Sequence, residues 1–237
     1  MDIEKLTLER IEKYNIEVYQ DSRFFKFGAD AFALANFATS YVKRKKSTIR
    51  YLDLCSGTGI IGILMNRLNN FESTVFVELN DYAMRINQIN LEINRIKGEV
   101  LNTDIRKLLD KLPIDSFDYI TINPPYMRAN HGLKTINEEK DLAKIEPDDD
   151  FLYDTFKIAF KLLKDRGELF MVHRVERMAD IFECSRLNRM EPKTLQFIRN
   201  AGSKKASIMM VRFIKNGNKF LECIDDYVIG GWNERKH

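Results

Sequence analysis

The chain has 237 residues, 44% of them apolar and 31% charged, the proportions of a globular domain and not of a disordered or collagenous chain. Its longest apolar runs, such as Ile60–Met65, hold six residues, whereas a membrane-spanning helix needs about 20. The start, Met1-Asp2-Ile3-Glu4-Lys5, lacks the apolar stretch of a secretory signal. Three scattered cysteines (Cys55, Cys184, Cys223) and three histidines offer neither a disulfide framework nor a zinc site, so a metal-free protein of the reducing cytoplasm is expected.

The net charge of +3 diagnoses no partner, but it is unevenly spread. Residues 43–50 carry five positive charges and no acid, residues 134–150 carry a net −4, and residues 166–219 a net +7. Basic patches can steer a polyanion, although a run of charge commonly does no more than solvate a face.

From about residue 48, short β-rich runs alternate with helix-length amphipathic ones. The expected strands are Thr48–Leu54, Thr74–Leu79, Glu99–Thr103, Phe117–Asn123 and Glu168–His173. Their near-continuous apolar character suits strands buried on both faces of a parallel sheet. Between them, Ile86, Ile89, Ile93 and Ile96 recur at helical spacing, as do Leu152, Phe156, Ala159 or Phe160, and Leu163. This alternation predicts an open α/β sheet with right-handed crossovers. Two further strands, Thr194–Arg199 and Ala206–Ile214, are separated only by the turn-rich Asn200–Lys205, too short for a crossover helix. The expected architecture is a mostly parallel seven-stranded sheet closed by an antiparallel terminal hairpin.

The run Asp53-Leu54-Cys55-Ser56-Gly57-Thr58-Gly59-Ile60-Ile61-Gly62 leads from a strand into a helix, with Gly57, Gly59 and Gly62 in a G-x-G-x-x-G pattern. Glycines there let the backbone turn tightly and approach a cofactor at the helix N-terminus. Glu78 ends the next strand, where a carboxylate can accept hydrogen bonds from ribose hydroxyls. S-adenosylmethionine and the nicotinamide dinucleotides both present an adenosine ribose at this place. Two details resemble class I methyltransferases and so favour S-adenosylmethionine: Asp53 stands four residues before Gly57, the D-x-x-x-G-x-G form of that family's first motif, and Asp104 follows the third strand, where the family contacts the adenine amino group. An aspartate at a helix start is also an ordinary N-cap, a reading equally open for Asp104.

Asn123-Pro124-Pro125-Tyr126 follows the fourth strand, at the sheet edge where open α/β proteins bind ligands. Two prolines stiffen the bend and remove two donors, which leaves carbonyl oxygens free. Asn123 adds an acceptor and Tyr126 a flat ring able to stack on a base. Such a cradle suits a planar group bearing NH₂: accepting both N–H bonds at Asn123 and the Pro124 carbonyl would turn the nitrogen lone pair toward a methyl donor. A hydride-transfer enzyme has no use for it, so a nicotinamide oxidoreductase ranks last.

On these motifs the chain resembles the bacterial tRNA (adenine-37-N6)-methyltransferases that modify valine tRNA. Phe25-Lys26-Phe27-Gly28-Ala29-Asp30-Ala31 looks like the family's F-x-F-G-x-D-A element beside the cofactor's methionine end. Asp53–Gly59, Glu78, Asp104 and Asn123–Tyr126 match its cofactor and catalytic motifs, and Val172–Arg177 and Pro192-Lys193 its later segments. Val175 replaces an expected proline, and Ala143-Lys144-Ile145-Glu146 echoes an A-R-H-E-like stretch only loosely. The resemblance implies a Rossmann-like class I methyltransferase fold, with residues 1–47 an extension on the cofactor side and 48–237 one globular domain. It implies S-adenosylmethionine held by Gly28, Asp30, Asp53, Ser56, Gly57, Gly59, Glu78, Asp104 and Asn123, and catalysis by Asn123, Pro124 and Tyr126.

The same motifs occur in release-factor glutamine, ribosomal RNA and DNA enzymes. Release-factor enzymes carry an N-terminal helical domain larger than residues 1–47, and DNA adenine enzymes usually carry a recognition domain for which little chain follows Ile214. A monomeric tRNA enzyme is therefore expected, its RNA contacts drawn from Lys43, Arg44, Lys45, Lys46, Arg128, His131, Lys134, Lys204 and Lys205. Phosphate contacts of this kind position RNA without selecting bases, and an unstacked anticodon-loop base is cheap to extrude. The alternatives are a ribosomal RNA base-amine or release-factor glutamine-N5 methyltransferase and, from a different class, a noncatalytic RNA-binding module. His173, at a strand end, reads as structural.

Overall fold

The computed structural model describes residues 6–21, 27–43, 48–126 and 146–230. The chain opens with an antiparallel hairpin, β1 (Thr7–Ile11) and β2 (Ile16–Gln20), turned by Asn15 in the left-handed region at φ 49°. The first helix, α1 (Ala29–Thr39), is apolar on most of its circumference. A helix of that kind must be covered all round, and α1 packs between α2 (Ile60–Leu68) and the sheet.

Five strands are parallel: β3 (Arg50–Leu54), β4 (Ser73–Glu78), β5 (Glu99–Asn102), β6 (Phe117–Ile122) and β7 (Leu163–Arg174), in the spatial order β7-β6-β3-β4-β5. Their connections carry α2, α3 (Asp81–Ile93) and α4 (Phe151–Leu162). After α5 (Met178–Leu187), β8 (Met190–Asn200) and β9 (Ile208–Lys215) form the expected antiparallel pair, with β9 inserted between β7 and β8.

Among the described residues the sheet has eight strands, not seven, because β10 (Glu222–Ile229) adds to the edge, parallel to β8. Its sequence, Glu-Cys-Ile-Asp-Asp-Tyr-Val-Ile, hides this: paired acids interrupt the alternation, and the register shifts between Ile224 and Tyr227. Charge and irregularity of this kind are how sheets blunt an exposed edge.

Each face of the sheet carries its own core. On one side Phe37, Tyr51, Ile63, Leu64, Phe76 and Phe170 pack under α1, α2 and α3; on the other Leu52, Val77, Ile120, Phe156, Leu169 and Phe213 pack under α4 and α5. Gly62 sets the helix-to-sheet distance, since a Cβ there would fall 2.1 Å from Phe76 Cε1. Gly62→Ala is expected to destabilise the fold by about 1–3 kcal/mol through overpacking, read as a lowered melting temperature. An unchanged melting temperature would show that Phe76 yields freely.

Candidate functional site

The carboxyl ends of β3, β4, β5, β6 and β7 meet along one edge of the sheet. Between β3 and α2 the chain turns through three positive φ angles, at Cys55 (53°), Gly57 (54°) and Gly59 (89°). A Cβ on Gly57 would meet nothing, so that glycine answers a conformational need alone, whereas one on Gly59 would fall 2.4 Å from Asn87 Oδ1 of α3. The loop is tied down by its neighbours. Ser56 N–H donates to the Val77 carbonyl (3.0 Å), and Asn87 Nδ2 donates to Ser56 Oγ (3.0 Å).

Glu78, at the end of β4, accepts the Gly57 N–H on one carboxylate oxygen and the Asn80 N–H on the other, each at 2.8 Å. Burial raises its pKa, and the backbone N–H groups of Asn80, Gly57 and Leu79 pull the other way. Each oxygen keeps a further lone pair for a ligand hydroxyl.

These groups open onto a cleft of about 880 Å³. Of the residues expected at the site, Ser56, Gly57, Glu78, Asp104, Asn123, Pro124 and Tyr126 line it together. Gly28, Asp30, Asp53 and Gly59 are not among its lining residues. Gly28 precedes α1, and Gly59 is turned toward Asn87 at the start of α2. Asp53 lies one layer beneath the cleft, 1% exposed, where its carboxyl accepts the Gly62 N–H (3.0 Å) and the Thr121 hydroxyl (2.6 Å). It thereby ties β3 and β6 to the first turn of α2. Desolvation dominates its environment and raises its pKa to about 7.

Asp104 caps the short 3-10 turn Ile105–Asp110 by accepting the Arg106 N–H (2.9 Å), the role the N-cap reading describes. Its carboxylate also binds the Arg106 guanidinium (2.7 Å), which lowers its pKa, and Arg106 continues to Asp148 at 2.6 Å.

The Asn123–Tyr126 bend faces the cleft. The Tyr126 hydroxyl donates to Asn123 Oδ1 and lies 3.1 Å from Asp30 Oδ2. Its ring meets His173 edge-on at 5.2 Å and 65°. His173 is buried beside a buried ion pair, Glu146 with Arg177 (2.5 Å), and its Nδ1 accepts the Arg174 N–H (2.9 Å).

The basic residues divide. Lys204 and Lys205 occupy the β8–β9 turn, which lies at the cleft edge because Arg174, ending β7, pairs with Ile208, starting β9. Lys43 is at the opposite edge, its N–H on the Tyr119 hydroxyl (3.0 Å), where the chain enters β3. Lys26, Arg44, Lys45, Lys46, Arg128, His131 and Lys134 lie outside the described residues, as do Phe25 and Ala143–Ile145. Phe27, from the F-x-F-G-x-D-A element, also lines the cleft, as do Asn80, Tyr82, Pro147 and Phe151, which the sequence reading did not single out. Asn80 alone carried a local signal: Leu79-Asn80-Asp81 before an apolar-periodic run is an N-cap, and its side chain accepts the Ala83 N–H at 2.9 Å.

A parallel α/β sheet with a reversed β9, a glycine bend and a carboxylate at the end of β4 together define a Rossmann-like methyltransferase domain. The chain belongs to the methyltransferase small domain family, which its residues 34–183 match. The release factor glutamine methyltransferase of Lactococcus lactis is 30% identical over 106 residues, covering 45% of this chain and 37% of that protein. The ribosomal protein uL3 glutamine methyltransferase of Francisella tularensis is 32% identical over 78 residues, covering 32% of this chain and 24% of that protein. The chain thus matches under two-fifths of the length of either relative. Among solved structures, one described as a predicted O-methyltransferase from Agrobacterium tumefaciens superposes with a TM-score of 0.64 at 19% identity, covering 86% of this chain and 90% of that one. The cofactor is S-adenosylmethionine, and the cleft fits it: Glu78 offers lone pairs suited to a ribose diol, and the glycine bend admits close backbone approach. Among the described residues no cluster of three or more potential metal ligands occurs, and no helix is long and apolar enough to cross a membrane.

Proposed function

We propose that the protein is an S-adenosylmethionine-dependent RNA methyltransferase that modifies the exocyclic N6 of adenine 37 in the anticodon loop of valine tRNA. The observation that carries the amino-group reading is the placement of Asn123–Tyr126 at the cleft that contains Glu78. The tRNA and its position come from the motif resemblance set out above.

Bound S-adenosylmethionine supplies an electrophilic methyl carbon. Glu78 would hold the ribose, and Ser56, Gly57 and Asp104 line the same cleft. An adenine amine is a poor nucleophile because its lone pair is delocalised into the ring. Asn123 Oδ1 and the Pro124 carbonyl accept its two N–H bonds, which turns the lone pair out of conjugation. The same two oxygens stabilise the positive charge that develops on nitrogen. Proline at 124 and 125 keeps competing N–H donors away from those oxygens. No strong base is needed, since the nitrogen becomes acidic once alkylated and loses its proton to water. Holding two reactants in this geometry can account for roughly 7–11 kcal/mol of the barrier. Lys204 and Lys205, at the same edge, supply positive charge for the RNA backbone.

Glu78→Ala is expected to weaken S-adenosylmethionine binding about 10- to 100-fold, the loss of hydrogen bonds to a charged group. Isothermal titration reads this directly, and unaltered affinity would remove Glu78 from the cofactor site.

A second reading has its own support: a carboxamide side chain presents the same planar NH₂, and the two partial relatives named above modify glutamine. Incubation with labelled S-adenosylmethionine and, separately, unmodified tRNA, ribosomal RNA, DNA and release factor separates the readings. Mass spectrometry of the product is expected to find N6-methyladenine at position 37 of valine tRNA. Label in release factor alone would establish the glutamine reading instead.

A further inference from the structure

Asn123 Oδ1, the acceptor assigned above to the incoming amine, is engaged here by the protein's own Tyr126 hydroxyl. That hydroxyl also lies 3.1 Å from Asp30 Oδ2. A phenol carries one proton, so two acceptors share a single donor. Burial and, second to it, the Asp30 charge hold the phenol protonated, so Tyr126 remains a donor.

The phenol ring and Asp30 are each held in place. The Tyr126 ring packs edge-on against His173, itself buried and held through Nδ1 by the Arg174 N–H. Asp30 is buried in the first turn of α1, where its Oδ1 accepts the Ala31 N–H at 3.0 Å and its Oδ2 faces the phenol. Gly28 leaves room for this arrangement, since a Cβ there would fall 2.7 Å from Asp30 Oδ1. The hydroxyl therefore sits between two acceptors, only one of which belongs to the amine cradle.

We infer that Asp30 is a positioning residue for the amine: its Oδ2 accepts the Tyr126 O–H hydrogen bond when an adenine or carboxamide NH₂ takes Asn123 Oδ1. The inference rests on the amino-group reading of the cleft. With Asp30 in place, freeing Asn123 exchanges one acceptor for another and strands no donor. Without it, Asn123 Oδ1 is the hydroxyl's remaining acceptor, and an amine that takes the hydroxyl's position on that oxygen leaves a buried donor unpaired, a penalty that corresponds to about a 5- to 150-fold loss of acceptor binding. This role differs from cofactor binding, in which loss of Asp30 would weaken S-adenosylmethionine.

Asp30→Ala and Asp30→Asn are compared in the wild-type and Tyr126→Phe backgrounds, with melting temperature and S-adenosylmethionine affinity measured for each. The acceptors are unmodified tRNA and release factor. Asp30→Ala is expected to lower kcat/KM for the acceptor about 5- to 150-fold, mainly through KM, with cofactor affinity unchanged. Asp30→Asn, which keeps an acceptor oxygen, is expected to restore most of that loss. In the Tyr126→Phe background there is no hydroxyl to accommodate, so Asp30→Ala is expected to cost less than about twofold. An equal cost in both backgrounds, or a parallel loss of cofactor affinity, overturns the inference while leaving the amino-group reading intact. A wild-type protein that methylates neither acceptor overturns that reading and this inference with it.

Discussion

Asn123→Ala is expected to cut methyl transfer by roughly 10²–10³-fold or more, the cost seen when one preorganised charge-stabilising group is removed from an active site. S-adenosylmethionine affinity should stay within a few-fold, because the glycine bend and Glu78 are anchored to β4 and α3 without Asn123. The fold should survive for a related reason. The Tyr126 hydroxyl loses one acceptor but keeps Asp30 within 3.1 Å, so truncation strands no buried donor. Single-turnover assays with saturating cofactor, beside a melting curve and a titration, separate these terms. Activity within tenfold of the wild type would refute the cradle, and lost cofactor binding would move Asn123 to the other side of the cleft. Asn123→Asp is the informative companion. A carboxylate still accepts, so its activity should exceed that of the alanine variant if acceptance from the amine is what matters.

The parallel strands were legible because both faces of each are covered, which forces apolar runs such as Phe117–Ile122 that few other elements tolerate. Glu78 and Asn123 were legible for a different reason: each follows such a run directly, and topology alone then delivers it to the cleft edge. Where tertiary geometry decides, local reading fails. Asp53 belongs to the same short motif as Gly57, yet strand pleating turns its side chain under the loop, where Gly62 and Thr121 claim it. Lys43 begins the most basic stretch of the chain, but its N–H bonds the Tyr119 hydroxyl near the amino end of β6, on the far side of the sheet from the cleft. The contact of the Tyr126 ring with His173, which is 47 positions away along the chain, has no local signature either. Asp104 carried both a capping and a binding reading, and its bonds to Arg106 satisfy the first.

Asp53 leads to a pH effect on stability whose sign is fixed by burial. In an unfolded chain its carboxyl titrates near its ordinary value of 3.8, but in the fold desolvation lifts the pKa to about 7. The folded state therefore holds a proton that the unfolded state has already released between those limits. Below about pH 4 both states are protonated and the penalty is absent. As pH rises from about 4 to 7 the protein loses stability, on the order of 4 kcal/mol if the whole shift is expressed, and above 7 the penalty is constant. Glu78, also raised by burial, contributes in the same direction, so the wild-type slope alone does not isolate Asp53. Asp53→Asn does. Its amide oxygen can still accept the Gly62 N–H and its NH₂ can donate toward Thr121, so the tie between β3, β6 and α2 is preserved without an ionisable group. Denaturant unfolding at pH 5 and pH 8 is expected to show a smaller fall in stability for this variant than for the wild type, with equal m-values. A variant whose stability falls as steeply as the wild type's would place the titration elsewhere and leave the Thr121–Asp53–Gly62 tie a neutral packing feature.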